Sequence, residues 1–270
     1  MNLRKRRLGR TGLLVTEVGY GAAHVGTVDE GEEALFRAFS LGVNFVETGR
    51  LYGESEYLIG RALRRRDRDA RPVYVASKTL KRNRDGALND LERSLAHLGL
   101  EGVDIYQLND VGEDSWHQVM AGGGALEGLH EAREQGLARF IGLTSHSAEV
   151  LRWAIESGQF DTIEAKYSLF NREAETVIRL ARQRDIGVIG MKPFGGFGML
   201  GSLKASPVPG LDAAILLRYA LSNRYLSVTI PGMRFVREVE ENVALAAACQ
   251  LMTLAEKARL RGLAQLVAVG

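Results

Sequence analysis

The 270-residue sequence contains one cysteine, Cys249, inside the helical stretch "ENVALAAACQLM". A single thiol excludes an intrachain disulfide and a cysteine-built zinc site, and it fits a reducing compartment. Cys249 itself reads as a small core residue. Runs of about 18 apolar residues, which a membrane-spanning helix needs, are missing. The basic start "MNLRKRRLGRTG" lacks the apolar segment of a signal peptide. The expected location is therefore cytoplasmic, with no membrane partner. Charge of one sign is not in excess either, since 35 Lys and Arg face 33 Asp and Glu. The arginines of "RALRRRDRDAR" (61–71) alternate with aspartates and lack interleaved aromatics. They read as a solvated helix end, and no nucleic-acid partner is expected. No Gly/Ser/Pro-rich linker divides the chain, so one domain over 1–270 is expected. No strand leads into GxGxxG, which weakens an open dinucleotide-binding sheet. Asp104, Asp110, Glu113 and Asp114 are not spaced with histidines as a ligand set, so no metal is expected.

What is present is a regular alternation. A hydrophobic content of 46% is enough for a large core. Short apolar runs at 17–21, 42–48, 72–78, 103–110, 139–144, 161–167, 186–192 and 226–232 are each followed by an amphipathic stretch. In "DGALNDLERSLAHLGL", Leu88, Leu91, Leu95 and Leu98 recur at helical spacing. Ser147 suits a helix cap and Gly136 a helix stop. His97 and His130 fall on helices and His117 in a loop. Eight strand–helix units imply a parallel sheet closed into a (β/α)8 TIM barrel, an α/β fold. The first residues, "RKRRLGRTGLLVTE", add a hairpin about a Thr-Gly turn. The longest irregular segment is 193–210, after the seventh strand; loops of that length are usually functional or mobile.

Barrels carry their chemistry at the C-terminal ends of the strands. Read in order, those ends hold Glu47 and Thr48, Lys78, Asn109 and Asp110, Thr144 and Ser145, Glu164 and Lys166, and Lys192. A lysine directly after "VYVAS" is hard to explain as packing. Glu47 and Lys78, on adjacent strands, form a natural ion pair, and Tyr52 in the loop beyond Glu47 is placed to fold over them. His24 and His146 also fall at the mouth.

The stretch "GVNFVETGRLYGESEYLIGRAL" resembles the aldo-keto reductases, whose counterpart reads Gly-Val-Asn-Phe-hydrophobic-Asp-Thr-Ala, then Tyr-Gly and Ser-Glu. The resemblance spans nearly the whole chain, through "LGRTGLLVTEVGYG", "VASK", "DIYQL", "RFIGLTSHS", "YSLFNRE", "VIGMKPFGG" and "TIPGMR". The Met-Lys-Pro is similar to a bacterial branch of the family. The resemblance implies an NAD(P)H-dependent reduction of a small aldehyde or ketone. Tyr52 would be the general acid, Lys78 the cation that lowers its pKa, and Glu47 the carboxylate that orients Lys78. Asn109 would take the oxyanion position. Two of these positions depart from the family pattern, which has aspartate where Glu47 stands and histidine where Asn109 stands. Asparagine keeps an amide donor but cannot pass on a proton.

The resemblance also implies a cofactor site. Thr144, Ser145 and Glu164 (a glutamine in the family) would bind the nicotinamide amide, and Met191 would lie against its ring. Lys192, Pro193 and Gly232 belong to the same motifs. The helix opening in "PGMRFVREVEEN" offers amides to a phosphate, with Arg234 or Arg237 in reach of a 2′-phosphate, and Glu241 and Asn242 match the adenine pair. Glu238 stands where NADPH-preferring members often carry arginine. On balance NADP(H) is expected over NAD(H), in a monomer or small homo-oligomer. Two other readings stay open: a nucleotide-binding barrel with lost or redirected catalysis, and a lyase or isomerase using Lys78 as a Schiff-base nucleophile.

Overall fold

The computed structural model describes residues 2–67, 70–196 and 198–267. It opens with a hairpin, β1 (Lys5–Arg7) and β2 (Leu14–Thr16), paired antiparallel through the register Arg6↔Val15. Eight further strands are β3 (Tyr20–Gly21), β4 (Phe45–Glu47), β5 (Tyr74–Thr79), β6 (Val103–Leu108), β7 (Ala138–Ser145), β8 (Thr162–Lys166), β9 (Gly187–Met191) and β10 (Val228–Ile230). They pair in parallel, each with its neighbour in sequence. Bridges Val18↔Thr229 and Gly21↔Gly232 join the first and last, so the sheet closes into the expected (β/α)8 barrel. Glycine makes that seam possible: a Cβ at Gly21 would sit 3.0 Å from the carbonyl oxygen of Ile230, and one at Gly19 would sit 2.8 Å from Cγ2 of Val228.

The helices are α1 (Gly31–Ser40), α2 (Ser55–Arg64), α3 (Arg84–Leu98), α4 (Glu113–Met120), α5 (Ala125–Glu134), α6 (Ala148–Ser157), α7 (Glu175–Gln183), α8 (Met199–Ala205), α9 (Ala213–Leu221), α10 (Val236–Ala248) and α11 (Leu254–Val267). Their apolar faces cover the outside of the sheet: Leu91, Leu95 and Leu98 of α3 are buried as the spacing predicts, against the outward residues of the strands. Ser147 caps α6 by accepting from the Val150 amide.

Two helices depart from the sequence reading. The helix α4 takes His117 out of a loop, and α8 occupies part of the segment 193–210 expected to be irregular. Each is short and nearly faceless: α4 buries only Val119, and α8 only Leu203. Neither has the repeating apolar stripe that periodicity detects.

Inside the barrel, the period of two in a strand points alternate residues to the axis. Phe45, Ala76, Ile105, Ile189, Val228 and Ile230 form the inner core. Leu8, Leu13 and Val15 of the hairpin complete it, plugging the N-terminal end of the barrel. Arg6 fastens the plug by donating to the carbonyls of Leu221, Asn223 and Leu226 and to Glu17. The open end is left to the polar residues. Among the described residues no helix is long and apolar enough to cross a membrane, and no group of His, Cys, Asp and Glu is placed to hold a metal ion.

Candidate active site

The alternation that fills the lower barrel with apolar side chains continues upward into polar ones. Glu47 follows Phe45, Lys78 follows Ala76, Gln107 follows Ile105 and Glu164 follows Thr162, each two residues on and therefore on the same inner face. They meet at the mouth. Lys78 is 1% exposed. Its ammonium contacts Glu47 Oε1 directly, donates to the Tyr52 hydroxyl at 2.9 Å, and lies 3.6 Å from Glu164 Oε1.

Tyr52 belongs to no regular element; it is held by the loop between β4 and α2. Its amide donates to the Gly49 carbonyl at 2.9 Å, and the Arg50 amide donates to the Lys78 carbonyl at 3.2 Å. The Arg50 guanidinium then reaches Glu56 Oε2 at 2.5 Å and His97 Nδ1 at 2.8 Å. Glu56 is fully buried and its other oxygen accepts from Ser77 Oγ at 2.9 Å. Arg50, Glu56 and His97 thus clamp the loop that carries Tyr52. Sequence reading missed this clamp, because an arginine six residues before a glutamate fits neither a helical nor a strand period.

Gly49 bears on the same geometry. A methyl there would lie 3.2 Å from Lys78 Cβ and 3.4 Å from Cε, inside ordinary contact. Glutamate at 47 is one methylene longer than the family's aspartate, and glycine at 49 is one methyl smaller than its alanine. The shorter neighbour leaves the lysine stem room to adjust to the longer carboxylate.

The electrostatics differ from expectation in one respect. Lys78 does meet the Tyr52 oxygen, but the phenol is pushed up from its ordinary value rather than down. Burial is the main cause, with Glu164 and Asp110 adding to it. Lys78 is shared between the Glu47 and Glu164 carboxylates, so its attraction for the Tyr52 oxygen does not offset that burial. Burial pulls the Lys78 ammonium down, while Glu164 holds it up.

Asn109 lies at the mouth beside Thr144, whose hydroxyl donates to Asn109 Oδ1 at 3.2 Å and accepts from the Asp110 amide at 2.8 Å. The Asn109 amide nitrogen is the end that Thr144 does not hold. Ser145 donates to the Val111 carbonyl at 2.7 Å and accepts from the Ser147 amide. Glu164 Oε2 accepts from Gln107 Nε2 at 3.0 Å, and its Oε1 lies 3.6 Å from the Lys78 ammonium. Asp110 and Lys192 both adopt positive φ, 50° and 57°, an unusual conformation for residues with a Cβ. His146 Nε2 lies 3.1 Å from Lys192 Nζ and 4.0 Å from Asp110 Oδ1. Burial, then Lys192, lowers the imidazole, so it accepts from that ammonium. His24 is exposed just past β3, at the start of a short turn.

The remaining expected cofactor residues line an arc over β9 and β10. Met191 packs partly on the inner core, Pro193 is buried, and Gly232 pairs with Gly21 at the seam. Nearby, burial lowers the Lys192 ammonium and so does the charge of Lys166. The hydroxyls of Thr144 and Ser145 have donated their protons internally but keep acceptor capacity for a carboxamide nitrogen. Thr144 and Ser145 thus have the acceptors that a nicotinamide carboxamide needs.

The start of α10 fits a 2′-phosphate badly. Glu238 Oε2 accepts from the Arg234 amide at 2.7 Å and the Phe235 amide at 3.4 Å, and Glu30 Oε1 accepts from the Val236 amide at 2.7 Å. The amides expected to face phosphate are taken by two carboxylates. Of the two arginines, Arg234 lies over the Phe235 ring at 5.3 Å, and Arg237 is exposed, 3.6 Å from Glu241. Asn242, half-buried in α10, is the neighbour of that pair.

Comparison with known proteins places this geometry. The family model described as "Aldo/keto reductase family" matches residues 17–209. L-galactose dehydrogenase of Arabidopsis thaliana is 28% identical, over 88% of this chain and 86% of that protein. An NADH-specific methylglyoxal reductase of Escherichia coli is 27% identical, over 75% of this chain and 69% of its own length. A Bombyx mori aldo-keto reductase solved in complex with NADP superposes with a TM-score of 0.76 at 20% identity, covering 97% of this chain and 95% of that one.

Proposed function

The chain belongs to the aldo/keto reductase family, whose members are NAD(P)H-dependent oxidoreductases, and we propose that residues 1–270 act as one such domain, reducing a small aldehyde or ketone with Tyr52 as general acid. The single observation that carries this reading is the Lys78 ammonium donating to the Tyr52 hydroxyl at 2.9 Å while in contact with Glu47.

A reduced nicotinamide supplies the hydride that goes to the carbonyl carbon. The residues do the rest. Tyr52 gives its O–H proton to the carbonyl oxygen and is left as a phenolate, which Lys78 stabilises at hydrogen-bond distance. Glu47 holds Lys78 in place from the opposite side. Asn109, with Oδ1 held by Thr144, offers its amide N–H to the same carbonyl oxygen. That polarises the carbonyl, though it supplies no proton of its own. Thr144, Ser145, Met191 and Lys192 would hold the nicotinamide and diphosphate.

Cofactor choice follows from α10. The sequence favours NADPH through Arg234 and Arg237, whereas the carboxylates of Glu30 and Glu238 at the helix amides support NADH. A phosphate brought against them would meet like charge, which costs several kcal/mol. The reading of lost catalysis is less well supported, since the acid, its cation and the carboxylate all stand in contact. The Schiff-base reading is less well supported too, because Lys78 is 1% exposed and its Nζ is enclosed by Glu47 and the Tyr52 hydroxyl, leaving little surface for a carbonyl carbon to reach.

Calorimetric titration with NADH and NADPH, followed by a carbonyl panel with the tighter nucleotide, tests the proposal. NADH should bind on the order of tenfold more tightly or better. Tyr52→Phe should lower carbonyl reduction about 10²–10⁴-fold with little change in nucleotide affinity. Parental turnover in that variant would end the assignment of the acid.

A further inference from the structure

Arg50 is the second residue of the turn that ends at Tyr52, closed by the Tyr52 amide donating to the Gly49 carbonyl at 2.9 Å. Its guanidinium donates at 2.8 Å to Nδ1 of His97, near the C-terminal end of α3. Arginine has donors only, so Nδ1 carries the lone pair and the imidazole is neutral, with its proton on Nε2. The ring is stacked on Tyr57, their centroids 3.9 Å apart. Glu56 Oε2 lies 3.6 Å from the same Nδ1 and already holds Arg50 at 2.5 Å. The His97 side chain keeps 22% of its surface exposed, so protons from water reach it.

We propose that His97 is a positioning residue for Tyr52 that works only as the neutral imidazole: a proton on Nδ1 turns the acceptor of Arg50 into its competitor for Glu56, loosens the turn that carries the acid, and so lowers carbonyl reduction as pH falls. This deepens the reading of Tyr52 as the acid and rests on it.

Protonated, Nδ1 would point a hydrogen at the guanidinium, and two cations would stand where a donor met an acceptor. The nearest relief is Glu56 Oε2, and an imidazolium that takes it displaces Arg50. Facing His97 are Arg50 from the turn, and Glu56, Tyr57 and Arg64 from α2; Arg64 reaches the Leu98 carbonyl at 3.4 Å. Arg93 and Glu101, four residues to either side in sequence, are exposed and screened by water. Buried Tyr106 and Asp90 adjoin Glu56 from the barrel wall. Burial and then Arg50 hold the imidazole below its ordinary range, while Glu56 opposes them. The acid limb therefore belongs below about pH 6.5. Its sign is informative. Tyr52 gives up a proton during reduction, so acid alone does not disarm it, and Asn109 has no proton to gain.

The test is kcat for carbonyl reduction with saturating NADH, each protein referred to its own value at neutral pH. The parental rate should fall about tenfold once His97 is protonated. His97→Asn, whose side-chain oxygen takes the place of Nδ1 but takes up no proton, should stay level across the same range. His97→Phe, which keeps a ring on Tyr57 without an acceptor, should be level as well, at the reduced rate of the acidified parental protein. Separately, the imidazole resonances of the five histidines can be titrated by NMR, with that of His97 identified by its loss in His97→Asn. In Arg50→Ala its midpoint should rise by about one pH unit or more, because a cation has gone and Glu56 remains. An asparagine variant that loses rate in acid as the parental protein does would overturn the proposal, as would a His97 resonance indifferent to Arg50. Parental turnover in Tyr52→Phe is a different failure: it removes the acid and leaves the imidazole titration where it was.

Discussion

The Tyr52 hydroxyl accepts a hydrogen bond from Lys78 at 2.9 Å, and the same ammonium lies 4.7 Å from the centre of the Tyr52 ring. Lys78 therefore serves two ends at once, the phenol and a pair of buried carboxylates. Lys78→Met should abolish carbonyl reduction and also leave Glu47 and Glu164 without their cation. Breaking a buried pair in this way costs about 3–5 kcal/mol, which urea unfolding would register. Adding Glu47→Gln to that variant should return part of the stability and none of the activity.

Gly49 and Glu47 should be energetically coupled. Gly49→Ala pushes a methyl against the Lys78 stem, 3.2 Å from its Cβ, so the ammonium must move off the phenol. A misplacement of about 1 Å can cost on the order of a hundredfold in rate, and kcat should bear most of it. The double variant Glu47→Asp with Gly49→Ala, which shortens the carboxylate as it adds the methyl, should recover much of that loss. Additive effects of the two substitutions would show that the residues do not compensate each other.

Arg50→Ala removes the clamp without touching the mouth. Glu56 would then keep only the Ser77 hydroxyl as a donor in a fully buried place, at an expected cost of about 3 kcal/mol. The loop bearing Tyr52 would lose its tie to His97 as well. Thermal melting should fall and kcat with it, while nucleotide affinity should stay near parental, since the expected cofactor residues lie on other strands. A large loss of nucleotide binding would contradict the separation.

Alkaline stability has a defined sign. Tyr20, Tyr52, Tyr106 and Tyr167 are all raised above their ordinary 10.0, each mainly by burial. A group raised in the folded state contributes stability in full below its unfolded value and loses it as pH climbs toward the folded one. Lys78, Lys192 and Lys257, lowered from 10.5, work the other way, because below that value the unfolded chain binds more protons. Above it they no longer add stability, and the tyrosines set the sign. Stability should fall steeply above about pH 10, and Tyr52→Phe should make that fall shallower in melts recorded across the range.

Much of this molecule is legible in its sequence, and for a simple reason. Strand and helix periods depend on neighbours in the chain, so the alternation of "VYVASK" and the leucines of "DLERSLAHLGL" declare a barrel unit before any contact is known. The same period of two places Glu47, Lys78 and Glu164 on the inner face at the strand ends, whereas the role of Tyr52 as acid, in a loop, was implied only by the family resemblance.

What the chain by itself determined is which residues reach the mouth. How they share their charges was decided only by closure of the sheet, which carried Glu164 and Gln107 across the barrel to a lysine that already had a counter-ion. Closure also brought Glu30 to the first amides of α10, far along the chain, and turned an expected phosphate site into a carboxylate-capped helix start. Distances through space decide electrostatics, and no local pattern in a sequence encodes them.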